Sequence, residues 1–422
     1  MGSSRRRLDP LTVALRLRVS GIEAHRKLLV KKTYKAFGGI YPYVIVLNRP
    51  VTVDIPFTVT GEKARLVWWT AWFSKFCAHR LLNDAKENEI LVDLSQTSFL
   101  KYARKRCYDV LPNRRYVDGI AVLIHSTLKS ARKLGLKVNE IKLRQWLLFQ
   151  CEADKKKKGN LNVRLTSTRE AEALVFNQER EPRKIKINLR THKKYEKLLK
   201  ILVERAIKSE VGYPARIVIK EYNTHLNDLR LYCSLQVIVP YDLYLEVMRK
   251  YDAPLGNHVA GIDVNVDRLN IAIVDRYGRL RDVKTFWFRE ITSRGYRRKR
   301  AWTKIYQAIH DMLNYAYHHG VSHVVLENPE IVGYLKYYWI KNGNKKTKNY
   351  NYRISIFRNR IIETIAYKTP LYGLKTIYVN PKGTTRSKEH EKIMKKYGLD
   401  RHTASAYLIA LRSLKKIHYA TK

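Results

Sequence analysis

Between Val259 and Val274 the chain is apolar with β character, yet Asp263 sits inside Val259-Ala-Gly-Ile-Asp-Val264 with apolar neighbours on both sides. A carboxylate drawn out of water in that way needs a partner, usually a cation. Asp282 to Phe288 supplies a further strand signal, Arg297 to His319 reads as helix, and Ser322-His-Val-Val-Leu-Glu327 reads as strand. Tyr352 to Ala366 is helical, Leu374 to Val379 is a strand, and His402 to Ile417 is helical again. Three adjacent strands followed by helix–strand alternation predict an α/β domain after a linker at Pro254-Leu-Gly256.

Two more acidic positions repeat the pattern. Glu327 closes the apolar Val324-Val-Leu326 run and precedes Asn328-Pro329, which ends a strand. Asp400-Arg-His402 stands directly before a helix rich in small residues, Ala404-Ser-Ala406. Carboxylates converging from two strand ends and a helix start can hold two Mg²⁺ ions about 4 Å apart. Such a pair activates water and stabilises the leaving oxygen of a phosphodiester. Each residue also has an ordinary use: Asp263 in a turn, Glu327 in an ion pair, Asp400 as an N-cap. Asp267 and Asp275 read as turn residues rather than ligands.

The N-terminal half reads differently. Tyr41 to Leu47 and Val51 to Phe57 are β-type runs joined by a turn at Asn48-Arg-Pro50. Leu66, Trp69, Trp72, Phe73, Phe76 and Leu81 then recur at helical steps, a stripe expected to pack rather than to stack on bases. Further helices are expected through Phe99 to Arg106 and from Val117 to Leu134, with Gly135 ending the latter. Short strand signals at Val163–Ser167, Ala173–Phe176, Lys184–Arg190, Ala215–Lys220 and Leu229–Pro240, with a helix through Tyr195–Ile207, suggest a small barrel. If the early strands close onto these, a helical insert interrupts one barrel domain.

Charge decides the class of partner. Lys and Arg number 83 against 37 Asp and Glu, a formal net charge of +46, which calls for a polyanion such as nucleic acid. With Trp 7, Tyr 29 and Phe 10, the chain is too aromatic to be disordered. No apolar run is long enough to span a bilayer, and the basic start Met1 to Arg7 leads into no signal-peptide core, so an intracellular protein is expected. Cys77, Cys107, Cys151 and Cys233 stand apart with no CxxC pair, and are expected as isolated buried thiols.

Gly261-Ile-Asp-Val-Asn-Val-Asp-Arg-Leu-Asn-Ile-Ala-Ile-Val-Asp275, Val324-Val-Leu-Glu-Asn-Pro329 and Asp400-Arg-His-Thr-Ala-Ser-Ala406 resemble the three split motifs of a RuvC-like nuclease domain. Their order and spacing resemble the transposon-encoded TnpB proteins, relatives of the type V CRISPR effectors. The resemblance implies an α/β plus β architecture: an RNase H-like (RuvC) domain over 256–422, with a wedge β-barrel over 1–60 and 137–255 interrupted by a helical recognition lobe over 61–136. It implies an RNA-guided, Mg²⁺-dependent endodeoxyribonuclease, with Mn²⁺ able to substitute, that cuts guide-matched double-stranded DNA beside a short transposon-associated motif. A guide RNA from the transposon end, a monomeric protein in the ribonucleoprotein and a nucleoid-associated prokaryotic location go with it.

Within that resemblance Asp263 bridges both metals, Glu327 holds one, and His402 with help from Asp400 completes the set. The family's four-cysteine zinc ribbon is missing: Asn380 to Ser387 resembles the segment leading into it, but Lys388 to Leu399 reads as a short helical link, so no zinc is expected. His402 replaces the second Asp of the third motif, which leaves a nuclease-inactive RNA-guided repressor, or a guide-free structure-selective nuclease, as alternatives. Arg297, Arg298, Lys299 and Arg300 are candidate phosphate contacts, and 334–351 is expected to form a lid over the cleavage site.

Overall fold

The computed structural model describes residues 43–45, 50–133, 137–143, 147–225, 228–293, 295–329, 345–380, 384 and 387–417. The basic start of the chain and 334–344 of the expected lid lie outside these. The chain divides into two compact units. One is built on Arg49–Val247; the other is built on Met248–Lys422 and also takes strand β1 (Tyr43–Ile45).

In the first unit, β2 (Val51–Thr60) alternates strictly, burying Val53, Ile55, Phe57 and Val59 on one face. Helices α1 (Gly61–Glu87), α2 (Ile90–Asp93), α3 (Gln96–Cys107) and α4 (Arg114–Lys133) follow. After them come β3 (Leu147–Cys151), β4 (Val163–Leu165), β5 (Glu170–Phe176), β6 (Pro182–Asn188), α5 (Lys193–Ile207), β7 (Ala215–His225) and β8 (Asp228–Val239). Among the described residues these strands form two sheets, ordered β2-β8-β7-β3 and β4-β5-β6, rather than one continuous ladder.

Two readings of the sequence change here. The Tyr41–Leu47 run does not form a hairpin with β2; β1 pairs antiparallel with a strand near the chain's other end. Local turn chemistry at Asn48-Arg-Pro50 could not reveal that long-range partner. The aromatic stripe does not pack as a whole. Leu66 and Leu81 are buried, but Trp72 and Phe76 are 41% and 53% exposed, with Lys75 over the Trp72 ring and Arg80 over Phe76. Apolar residues run around too much of α1 for all of them to face one core. The four cysteines are free, buried thiols, as expected; the Cys77 thiol donates to the Cys107 backbone carbonyl at 3.9 Å where α1 meets α3. The neighbouring Cys107, then burial, push the Cys77 thiol far above its ordinary pKa.

The second unit follows α6 (Tyr241–Met248) and is α/β. Strands β9 (His258–Val264), β10 (Arg268–Val274) and β11 (Leu280–Trp287) form an antiparallel meander. Helix α7 (Arg298–His318) leads to β12 (Val321–Glu327), which lies parallel to β9. Helix α8 (Lys345–Lys368) leads to β13 (Lys375–Val379), parallel to β12; α9 (Lys388–Tyr397) and α10 (Arg401–Ile417) end the described chain. The sheet order is β1-β13-β12-β9-β10-β11, the mixed sheet of the RNase H-like fold. The expected lid segment 345–351 is the start of α8, and the stretch expected as a helical link is α9.

One face of this sheet packs on α10. Val259, Ala272, Val274, Val325, Ile377 and Val379 meet Ala404, Ala406, Tyr407, Leu408 and Ala410 there. The approach is close: a Cβ on Gly261 would stand 2.0 Å from the Ala406 carbonyl oxygen. A side chain at 261 would push α10, and the residues at its start, away from β9.

Candidate active site

Asp263, near the end of β9, and Glu327, the last residue of β12, are 5% and 6% exposed. Alternation along each strand places both on the face covered by α10, with Gly261 and Val325 two residues before them. Their carboxylates converge. Arg358 of α8 donates from one nitrogen, Nη2, to Asp263 Oδ1 at 3.2 Å and to Glu327 Oε2 at 2.9 Å. The two oxygens therefore lie no further apart than those bonds laid end to end. The other Glu327 oxygen accepts from Thr384 Oγ1 at 2.8 Å.

His402 completes the group. It lies in the first turn of α10, and its Nδ1 donates to Asp263 Oδ2 at 3.0 Å. Asn265 Nδ2 donates to the same oxygen at 2.8 Å. With Nδ1 committed to the carboxylate, Nε2 is the imidazole nitrogen left to carry a proton or bind a cation. Burial works to raise the Asp263 pKa, but the His402 hydrogen bond, the Arg358 charge and the Asn265 amide outweigh it, and the net displacement is downward. Asp263 is thus an anion at neutral pH despite its burial.

Asp400 plays a different part. Its Oδ1 accepts from the backbone N–H of His402 at 2.7 Å and of Thr403 at 3.1 Å, the arrangement of an N-cap. Among the described residues it contacts neither buried carboxylate. His390 of α9 pairs through Nε2 with the Arg401 carbonyl at 2.9 Å, a second tie on the turn that carries His402. Asp275 caps its own hairpin, accepting from the N–H of Tyr277 and Arg279. Arg297, Lys299 and Arg300 are exposed at the start of α7; the Arg298 side chain is outside the described residues.

Among the described residues no three His, Cys, Asp or Glu side chains stand ready to hold a metal. Arg358 instead places one guanidinium nitrogen against both carboxylates. The donors themselves suit a hard divalent ion: two carboxylates and an imidazole nitrogen. The Arg358 Nε, buried with no hydrogen-bond partner, marks the guanidinium as incompletely satisfied where it lies. Arg358, Thr384 and Asn265 carried no sequence signal; a basic residue within a helical repeat is indistinguishable from a solvated one.

Comparison with known proteins agrees with this division of the chain. The family model of the SSO2105 N-terminal domain matches residues 50–249. An uncharacterized protein of Aeropyrum pernix is 43% identical over 366 residues, covering 87% of this chain and 86% of that protein. The uncharacterized protein SSO2105 of Saccharolobus solfataricus is 30% identical over 318 residues, covering 74% and 80%. Among solved structures, a Cas12f1–sgRNA–target DNA complex has a protein chain similar in fold, with a TM-score of 0.50 at 12% identity, covering 83% of each chain. No described helix is long and apolar enough to cross a membrane.

Proposed function

The chain belongs to the SSO2105 family, and we propose that it is a RuvC-like endonuclease, directed by a guide RNA to double-stranded DNA and dependent on divalent metal. The observation that carries the reading is the meeting of Asp263, Glu327 and His402 on one face of an RNase H-like sheet, in a chain of net charge +46. The likeness of its fold to a chain solved with sgRNA and target DNA supports the choice of partners.

In this reading Asp263 and Glu327 hold Mg²⁺, with His402 Nε2 as the third donor or as the base for the attacking water. The bound metal would activate water and stabilise the leaving oxygen. The protein's own contribution is orientation. Asp400 and His390 fix the turn that bears His402, Asp263 selects the tautomer, and Thr384 holds Glu327. Arg358 neutralises the carboxylate pair and must leave it when a metal enters. The first unit, with its helices between β2 and β3, serves as the barrel and helical lobe that grip the RNA–DNA hybrid by shape. A transposon-end guide and an adjacent DNA motif belong to the same proposal.

The deciding experiment is to purify the chain with its co-purifying RNA, sequence that RNA, and assay Mg²⁺-dependent cutting of a matched duplex. A discrete RNA and cutting abolished by Asp263→Ala support the proposal; metal-dependent cutting retained in Asp263→Ala refutes the site. Guided binding without cutting would favour the second reading, a nuclease-inactive repressor. Arg358 lodged between the carboxylates is the observation that keeps that reading in view.

A further inference from the structure

Beyond the acidic group, the same end of the sheet carries a cation–aromatic arrangement that the site does not use. Trp287, the last residue of β11, is 44% exposed. The guanidinium of Arg289 lies 3.6 Å from its ring centre and that of Arg268 lies 4.6 Å away. Arg268 and Trp287 are direct cross-strand partners.

Their placement follows from register. Asp263 stands opposite Asn270, and Asn270 opposite Thr285, with an Asn270–Thr285 side-chain bond of 2.8 Å. Opposed residues of an antiparallel pair share a face, and so do residues two apart along a strand. Arg268 and Trp287 therefore emerge on the same face as Asp263, one pleat on, Arg268 one strand across and Trp287 two. Strand spacing makes those separations on the order of 8 Å for Arg268 and 12 Å for Trp287.

The electrostatics select the occupant. Arg289 has no carboxylate partner among the described residues. Arg268 has a loose contact with Asp267, 3.5 Å from its Nε, and that buried Nε makes no hydrogen bond. A guanidinium held against an indole keeps its charge and its in-plane N–H edges while losing rotamer freedom, which suits it to phosphate oxygens. A protein partner of ordinary composition would need acidic groups matched to both cations; a nucleic-acid strand offers anions at regular spacing.

We propose that Arg268, Trp287 and Arg289 form a clamp for the phosphodiester backbone of the strand presented to Asp263 and Glu327. The inference rests on the nucleic-acid reading given above and adds to it the residues that hold the strand. Trp287 is the rigid post; the two arginines make the contacts.

The test uses the full chain carrying Asp263→Ala, free of divalent ions, titrated with fluorescein-labelled oligodeoxythymidine at several KCl concentrations. Arg268→Ala with Arg289→Ala should weaken binding by about 10-fold and flatten the dependence of log K on log salt by about 1.4, about 0.7 for each lost phosphate contact. Replacing both by Lys should keep the slope while restoring part of the affinity. Unchanged melting of Arg289→Ala, whose side chain is exposed, shows that the fold is intact. An unaltered affinity and slope in the double Ala variant overturns the clamp while leaving the nuclease reading intact. No binding by the parent chain overturns both.

Discussion

His402 Nδ1 lies 3.0 Å from Asp263 Oδ2, joining residues 139 apart in sequence into one hydrogen bond. The bond has a direction: the carboxylate can only accept, so the imidazole donates through Nδ1. A motif position where an acidic residue was expected is thus filled by a group that pairs with Asp263 instead of repelling it. The substitution lowers the negative charge of the group and leaves Nε2 of the imidazole free of that bond.

Removing the carboxylate should separate binding from chemistry. Asp263→Ala is expected to reduce metal-dependent cutting of a matched duplex by about 10³-fold while leaving nucleic-acid affinity within about two-fold. Gel assays with Mg²⁺ and with Mn²⁺ check the first part, and filter binding in EDTA checks the second.

Arg358→Ala should make stability depend on metal. Without the guanidinium two buried carboxylates face each other unneutralised, at a cost of about 3 kcal/mol. Urea unfolding in EDTA is expected to show that loss, and Mg²⁺ should recover much of it. Equal unfolding midpoints of the parent and the variant in EDTA would show that Arg358 is not the compensating charge.

Gly261→Ala probes the seat of α10. The added Cβ would meet the Ala406 carbonyl at 2.0 Å, with no flexible atom to yield. A loss of about 2 kcal/mol is expected from overpacking alone. Displacement of α10 would also move His402 from Asp263, so catalysis should fall further than stability. Measuring both on one preparation tests that order.

His323 gives the acid limb of stability. Burial, then the nearby Lys375 charge, lower its pKa to about 4 from an ordinary value near 6.5. The folded state therefore favours the neutral ring. Its contribution is complete above about pH 6.5 and is lost as pH falls toward 4, because the unfolded chain takes up the proton first. Partial exposure limits the effect to about 2 kcal/mol. His323→Gln should flatten the unfolding profile across that window.

The sequence disclosed β9 to β13 and their carboxylates because apolar β-runs in a basic chain leave an acidic residue conspicuous. Asp263 and Glu327 were legible for that reason. The use made of Asp400 was open until its Oδ1 was seen capping α10. Arg358 was invisible, since nothing local distinguishes a helix residue that turns inward to two carboxylates from one that turns to water. Strand β3 was missed because five residues, Leu147–Cys151, give too short a period to read.

The edge strand β1 has a consequence for assembly. It precedes Arg49–Val247 of the first unit in the chain yet completes the sheet of the second by pairing with β13, more than 300 residues later. During synthesis, that edge has no partner until β13 has emerged. Loop closure of such span is slow, and an unpaired edge is prone to wrong neighbours in the interval. The unit that carries Asp263 and Glu327 can thus acquire its edge strand only after Arg49–Val247 has been made, which ties completion of that sheet to prior synthesis of the other unit.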